Sequence, residues 1–482
     1  MSEAVVVGAG PNGLAGAITL ARQGVRVTVL EAAPTPGGGA RSSELTVPGV
    51  IHDHCSAVHP LGVGSPFMKT IDGLEWAWPE VDLAHPLDGG SAGLMYRSLE
   101  DTARGLGLDG ASWTRLFDPL AEGFDVLAGE LLQPLLHAPR HPFAMAGYGS
   151  RALLPATWLA RRWRTPEARA LFGGVAAHLF HPLSSPMSAG LGLMMIASGH
   201  RYGWPVARGG SQSITDILVA TLESLGGTVV TGVEVQTLAD LGRPDVVLLD
   251  TSPRGAAAIL GGDLPRRVGR AYRRYRHGPA AFKVDFAIDG HIPWRNEACR
   301  RAGTLHLGGG LDEIVHTEAE INRGLMPERP FVLVGQQYLA DPSRSAGNVN
   351  PIWAYAHVPH GYPGDATDAV VKQIERFAPG FREQIVATSH RTTETFASYN
   401  ANYVGGDILT GANTPRQLVF RPRMAIDPYR TGVPGVFLCS AATPPGAGVH
   451  GMCGYNAARS ALGHLRGSDL VPSTAHQRST NR

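Results

Sequence analysis

The chain has 482 residues, 43% hydrophobic and 17% charged, a balance that suits a globular protein with room for two substantial domains and excludes a fibrous or disordered one. Its 42 Lys and Arg against 41 Asp and Glu leave a formal net charge of +1, so no global field draws it to nucleic acid or to an anionic membrane. Cys55, Cys299, Cys439 and Cys453 lie far apart and form no CxxC, which argues against a redox disulfide and for a reducing, cytoplasmic setting.

Ala4 to Val7 is a short apolar run of the kind that fits a buried parallel strand, followed at once by Gly8-Ala9-Gly10-Pro11-Asn12-Gly13 and a helical pattern through Gln23. Gly8 permits a tight turn, Gly10 lets the backbone approach a pyrophosphate, and Gly13 allows the helix to lie close to the strand. A second strand, Val25 to Leu30, ends at Glu31, where a Rossmann unit places its acceptor for ribose hydroxyls. Next comes Pro36-Gly37-Gly38-Gly39-Ala40-Arg41-Ser42-Ser43, three glycines that are costly to order unless the backbone needs unusual dihedrals or close ligand contact. Arg41 adds a permanent cation; its plainer reading is a surface salt bridge. A first strand starting near residue four leaves no room for a signal peptide before the fold.

Asp53 to Gly90 loses regular periodicity and reads as a connection leaving the nucleotide domain. His52, His54 and His59 in this region have no metal-ligand spacing and read as loop histidines, with lining of a substrate entrance as the alternative. Leu99 to Leu193 then reads mainly as helices, including Trp113 to Leu132 and Pro155 to Phe180, broken by prolines. Ala207 to Ser211, a helix to Leu225, and the strand-like Gly226 to Val235 return to the nucleotide-domain pattern, and Asp245 to Leu249 forms another strand before Asp250-Thr251-Ser252-Pro253.

From Ala280, Phe282, Val284, Phe286 and Ile288 alternate with Lys283, Asp285 and Ala287 as a strand, with Phe331 to Tyr338 and Trp353 to Val358 as expected sheet neighbours. A helix from Asp365 to Phe377 and a polar, Gly-rich link from Asn400 to Gln417 lead to a closing strand, Val436 to Cys439, a loop rich in Pro and Gly, and a helix from about His450 to Leu462. A helix start beneath such a loop is an anion-facing platform. No stretch of eighteen apolar residues argues for a spanning helix. The expected fold is α/β: one discontinuous Rossmann-like domain (1–68, 201–279 and 404–467) with an α+β substrate domain inserted twice (69–200 and 280–403), and a disordered tail over 468–482.

With these motifs in hand, the chain resembles the phytoene desaturase-like FAD-dependent oxidoreductases of the amine oxidase and phytoene desaturase superfamily, in the pyridine nucleotide-disulfide oxidoreductase domain-containing branch. The resemblance rests on the N-terminal GAGPNGLAGAITLARQGVRVTVLEAAPTPGGGARS, the middle GGSQSITDILVATLESLGGTVVTGVEV, and LVFRPRM with YRTGVPGVFLCSAATPPGAGVHGMCGYNAA. It implies FAD as cofactor. Gly8, Gly10, Pro11, Asn12 and Gly13 would meet the pyrophosphate, Glu31 the adenosine ribose, and Gly38, Gly39 and Arg41 the pyrophosphate and flavin edge. Val233, beginning its strand, would meet the adenine, and Gly448, Val449 and His450 the flavin pyrimidine. Ser440 and Ala441 stand where many flavoproteins end the last strand with Gly-Asp for the ribityl chain.

The flavin would accept a hydride at N5, leaving the protein to orient the substrate, exclude water and tune the ring. Lys283 is a catalytic candidate because related oxidases place a lysine near N5 through a water; a lysine at a sheet edge neutralised by Asp285 is the alternative. His450 is a second, a neutral hydrogen-bonding group at a helix start. Cys439 and Cys453 read as small buried residues rather than flavin attachment points. The expected activity is dehydrogenation of a hydrophobic small molecule with oxygen or a quinone as electron acceptor. The alternatives are amine-type C–N oxidation and a redox-silent FAD-holding interaction protein. Trp158-Leu159-Ala160-Arg161-Arg162-Trp163-Arg164 reads as a solvated helix face or, with its aromatics and arginines, as a peripheral membrane contact.

Overall fold

The computed structural model describes residues 2–468. The disordered tail expected over 468–482 lies, from 469 onward, outside the described residues. In chain order the elements that matter for the site are β1 (Glu3–Val7), α1 (Pro11–Ala21), β2 (Arg26–Glu31), β3 (Val81–Pro86), β4 (Ala92–Met95), α2 (Pro166–Ala177), α3 (Ala189–Tyr202) and α4 (Gln212–Ser224). They continue with β5 (Thr228–Thr231), β6 (Val246–Leu249), β7 (Ala280–Asp289), β8 (Ala302–Leu307), α5 (Leu311–Asn322), β9 (Val332–Gly335), β10 (Val349–Val358), α6 (Thr367–Phe377), β11 (Ile385–Arg391), β12 (Val436–Leu438) and α7 (Met452–Ser468).

Five strands form a parallel sheet in the order β12-β6-β1-β2-β5. Valine- and leucine-rich runs such as Val246 to Leu249, buried at every position, are what a sheet covered on both faces requires. α1 lies between this sheet and α7, and ten of its residues, Asn12 to Ala21, are buried. Glycines set that closeness. A Cβ on Gly13 would come within 2.0 Å of the Gly8 carbonyl oxygen, and one on Gly16 within 2.7 Å of the Leu248 side chain. The fold is α/β and Rossmann-like, as the N-terminal motif implied.

The other seven strands form a mixed sheet in the order β11-β7-β10-β9-β8-β3-β4. Phe282, Val284, Phe286 and Ile288 point into an apolar core with Ile352, Ala354, Val332, Val334, Leu305 and α6. By the two-residue period of a strand, the neighbours Lys283, Tyr355, Leu333 and His306 occupy the opposite face. Register places them in one row, His306 beside Leu333, Leu333 beside Tyr355, and Tyr355 beside Lys283. This face meets the helical layer that includes α2 and α3, where Trp113, Phe117, Phe172 and Trp163 pack in one cluster.

Several elements differ from expectation. β3 arises inside the stretch read as an irregular connection, because it is buried at all six positions and shows no alternation, and β4 follows just beyond that stretch. β7 pairs with β10 and with β11, whereas β9 is one strand further away. β5 ends at Thr231, so Val233 follows its strand rather than beginning it, its N–H donating to the Glu31 carbonyl oxygen at 2.9 Å. α7 starts at Met452, two residues beyond His450. No helix among the described residues is long and apolar enough to cross a membrane.

Candidate functional site

A cavity of about 1400 Å³ runs from the glycine-rich loop after β1 to the row of side chains on the seven-stranded sheet. At its first end, Gly8 has φ +101°, a conformation reserved largely for glycine. Gly10 precedes α1 as its N-cap without a side chain to occupy the helix terminus. Glu31 is fixed by two backbone donors: its Oε2 accepts from Ala9 N at 2.7 Å and its Oε1 from Ala33 N at 2.9 Å. Glu31 also lines the cavity, and each of its oxygens keeps acceptor capacity for a further donor such as a diol hydroxyl.

The GGGARS loop folds back over this end. Gly38 sits at φ +53°, and a Cβ there would lie 3.2 Å from the Gly10 Cα. A Cβ on Gly39 would meet the Tyr403 hydroxyl at 2.0 Å, and Tyr399 Oη donates to the Gly38 carbonyl at 2.7 Å. Arg41 is buried, not a surface residue: its Nη2 donates to Thr35 O at 2.6 Å, its Nε to Pro36 O at 3.2 Å, and it lies 3.7 Å from Glu31 Oε1. The loop is therefore shaped by its own arginine while leaving backbone open to the cavity.

Asp250, at the end of β6, was not singled out from the sequence. Its Oδ2 accepts from Gly13 N at 3.0 Å, taking one of the free donors at the α1 terminus. Burial raises its carboxyl to about 7, opposed by that N–H and reinforced by the charge of Glu31. Asn402 holds the same turn, donating to Asp250 O at 3.0 Å and accepting from Ser252 N at 2.6 Å. The available signal was positional: like Glu31, Asp250 is a carboxylate at the C-terminal end of a parallel strand.

Of the residues singled out from the sequence, Gly8, Gly10, Pro11, Asn12, Glu31, Gly38, Gly39, Arg41, Val233, Ala441, Gly448 and Val449 all line the cavity. Gly13, Ser440, His450 and Lys283 do not. Gly13 is spent on the α1–β1 approach and on Asp250. Ser440 is buried and its Oγ accepts from Ala442 N at 3.3 Å. His450 is buried behind Gly448, and its Nδ1 accepts from Met452 N at 3.1 Å, so it caps α7. Burial depresses its imidazole to about 4. Cys439 and Cys453 are buried too, the latter bonding to the carbonyls of Thr443 and Gly446.

Lys283 lies on a central strand, not a sheet edge, and is paired at short range with Asp285. Asp285 also faces His52 Nδ1 at 3.4 Å. Burial lowers the lysine and Asp285 opposes that effect, while the lysine and His52 hold Asp285 below the ordinary carboxylate range against burial. His54 and His59 do reach the cavity. Burial, with the Arg391 and Lys283 charges for His54, lowers both imidazoles to about 4.

The second end of the cavity is walled by Leu191, Met195, Trp204, Leu333, Trp353 and Tyr355. None was identified from the sequence as a wall residue, because they converge from α3, the loop after it and two different strands, β9 and β10. Trp353 is oriented by its indole N–H, which donates to Cys55 O at 3.0 Å, and it meets Tyr355 edge-on at 4.9 Å between ring centres. The acidic residues lining the cavity, Glu31, Glu234 and Asp250, all lie at its first end. The apolar end thus has a water-excluding wall without a negative charge to bind a cation.

In the Trp158 to Arg164 stretch, Trp158 and Arg161 are exposed, whereas Trp163 is buried in the aromatic cluster. One indole is therefore unavailable to a membrane surface.

Residues 6–72 match the family model of the NAD(P)-binding Rossmann-like domain. The chain is 24% identical over 546 residues to mouse (Mus musculus) pyridine nucleotide-disulfide oxidoreductase domain-containing protein 2, covering 95% of this chain and 92% of that protein. It is 23% identical over 523 residues to the neurosporene-forming phytoene desaturase of Rhodobacter capsulatus, covering 94% and 92%. Among solved structures, putrescine oxidase superposes with a TM-score of 0.60 at 17% identity, covering 96% of this chain and 99% of the oxidase. Over nearly its whole length the chain is thus homologous to pyridine nucleotide-disulfide oxidoreductase domain-containing protein 2 and to a phytoene desaturase, and its N-terminal end matches an NAD(P)-binding Rossmann-like domain.

Proposed function

We propose that the protein is an FAD-dependent oxidoreductase that removes hydride from a hydrophobic small molecule, with oxygen or a quinone as the final acceptor. The observation that carries this reading is the single cavity joining a dinucleotide-type cradle to an apolar chamber. The cradle passes a chemical test of fit: a backbone loop at a helix terminus suits a diphosphate, and a carboxylate pinned by two N–H groups suits a ribose diol. Gly8, Gly10, Pro11 and Asn12 would hold the diphosphate, Glu31 the adenosine ribose, Val233 the adenine side, and Ala441, Gly448 and Val449 the ring end. When bound, FAD supplies a hydride acceptor.

The residues of the chain supply the rest. Trp353, Tyr355, Leu333 and Met195 orient an apolar substrate and keep water from the reacting carbon. Oxidation of an amine, suggested by the putrescine oxidase fold, is the second reading. The absence of a carboxylate at the apolar end favours a neutral substrate over an ammonium ion.

The test is to purify the protein, record flavin absorbance before and after reconstitution with FAD, and reduce the bound flavin anaerobically with polyenes, alcohols and amines. Bleaching by a neutral polyene or alcohol supports the proposal, and bleaching by amines alone selects C–N oxidation. No flavin uptake after reconstitution overturns it. Bound FAD that no donor reduces marks a redox-silent protein, for which liposome binding sensitive to Arg161 and Arg162 replacement is the companion assay.

A further inference from the structure

Behind the apolar chamber lies a line of histidines that the reading above leaves unused. His178 caps the C-terminus of α2 and lines the cavity. Its Nε2 lies 3.0 Å from Nε2 of His306 on β8, and the two rings are 4.9 Å apart. His306 is fully buried, as is His85 on the adjacent strand β3. The Nε2 of His85 lies 2.8 Å from the Gly309 carbonyl oxygen. The Nδ1 atoms of His85 and His306 have no hydrogen-bond partner among the described residues. Both face the same point above Gly174: a Cβ built there would meet them at 2.7 and 2.8 Å. The two nitrogens therefore lie within two hydrogen-bond lengths of each other, a span that one water bridges, and glycine is the residue that leaves room for it.

The polarity of this line follows from its far end. A carbonyl oxygen only accepts, so His85 Nε2 carries a proton, and the neutral ring must then present Nδ1 as an acceptor. A water in the Gly174 gap can supply the donor it needs, and a continuous relay requires His306 Nδ1–H to donate to the same water. That makes His306 Nε2 an acceptor, so the proton shared with His178 belongs to His178 Nε2. His178 is left with a basic lone pair at Nδ1, the nitrogen of the one ring in the line that reaches the cavity.

We propose that His178, His306 and His85 form a proton relay, in which His178 Nδ1 accepts the proton that a substrate in the cavity loses on oxidation. The inference rests on the proposed FAD-dependent dehydrogenation. Bound FAD would supply the two-electron acceptor for the substrate's hydride, and the second hydrogen leaves as a proton to His178 Nδ1. His178 passes its Nε2 proton to His306 Nε2, and His306 passes its Nδ1 proton to His85 Nδ1 across the gap. One proton enters, no atom is left over, and the positive charge ends on His85. There the Glu313 carboxylate favours it, while Arg376, bonded to Glu313, opposes it. The Glu318–His357 pair, 2.6 Å apart, flanks the cavity-side ring.

Burial lowers His178 to about 3 and His85 to about 4, and His306 well below its ordinary value, so all three rest neutral and hold an added proton only in passing. A metal site is the competing use of clustered histidines. Among the described residues no three His, Cys, Asp or Glu side chains are grouped to hold a metal ion.

Nitrogen-15 NMR of histidine-labelled full-length protein tests the relay without turnover, with single histidine replacements giving the assignments. The expected pattern is a bare Nδ1 on His178, a protonated Nδ1 on His306 and a bare Nδ1 on His85. Replacing His85 by Phe, or closing the gap with Gly174→Ala, should remove the preference for Nδ1–H at His306. His178, two rings from the His85 change, should then become a mixture of tautomers. A protonated Nδ1 on His178, or a His178 tautomer indifferent to both variants, overturns the relay. Because the tautomers are read in protein with or without FAD, failed flavin uptake would sink the cofactor reading while these signals still decide the relay.

Discussion

Gly454 in the first turn of α7 lies so close to Asn12 in α1 that a Cβ on the glycine would stand 1.7 Å from the Asn12 carbonyl oxygen. The contact joins residues 442 positions apart and aligns the two ends of the chain around one cavity. Backbone cannot yield as a flexible side-chain tip can, so Gly454→Ala must push α7 off α1. The expected cost is about 1–3 kcal/mol, read as a lower denaturant midpoint. Because α1 follows the glycine loop proposed to hold the diphosphate, flavin affinity should fall in the same variant, measured by fluorescence titration with FAD.

That pairing was legible in the sequence because each half is local. Gly8 to Gly13, the strand ending at Glu31 and the loop before α7 each announce themselves within a dozen residues. The apolar end of the cavity was not legible for the opposite reason. Tyr355, Leu333 and His306 become neighbours only through strand register, which no local pattern encodes. β11 escaped notice because only Ile385, Val386 and Ala387 of this edge strand are apolar, and the polar run Thr388 to Arg391 that completes it, nowhere fully buried, mimics a loop. Lys283 was recognised as a strand residue beside Asp285, but His52, which faces that aspartate, comes from a segment over two hundred residues away.

Asp250 makes the fold sensitive to pH. Its carboxyl is raised from an ordinary 3.8 to about 7, so between those values the folded chain holds a proton that the unfolded chain releases. This contribution is fully present below about 4 and is lost as pH rises through about 7. Asp250→Asn keeps an acceptor for Gly13 N–H and removes the titration. The variant should gain on the order of 1–2 kcal/mol over the wild type at pH 8 and lose that advantage at pH 4, as urea midpoints would report. Flavin affinity should also stop declining above pH 7, since an ionised Asp250 repels a diphosphate.

His450 acts as the cap of α7, and its replacement separates capping from chemistry. Asn can accept from Met452 N and Leu cannot, so His450→Leu should cost about 1 kcal/mol more than His450→Asn. Burial depresses the imidazole from 6.5 to about 4. The unfolded chain therefore binds the extra proton between those values, and wild-type stability falls as pH drops from about 6.5 toward 4. His450→Asn should flatten that acid limb, visible in thermal melts at pH 7 and pH 5.

Lys283 and Asp285 are each nearly inaccessible, at 1% and 3% exposure, so the pair is governed by desolvation rather than by surface screening. Lys283→Met leaves a buried carboxylate facing only His52, and the expected loss is about 3–5 kcal/mol. Replacing both partners, Lys283→Met with Asp285→Leu, removes the stranded charge and should recover much of that loss, because two apolar side chains suit a sheet face already walled by Trp353 and Tyr355. Denaturant midpoints for the two single variants and the double variant measure the coupling. A double variant no more stable than Lys283→Met alone would mean that the pair contributes more than the cost of burying it.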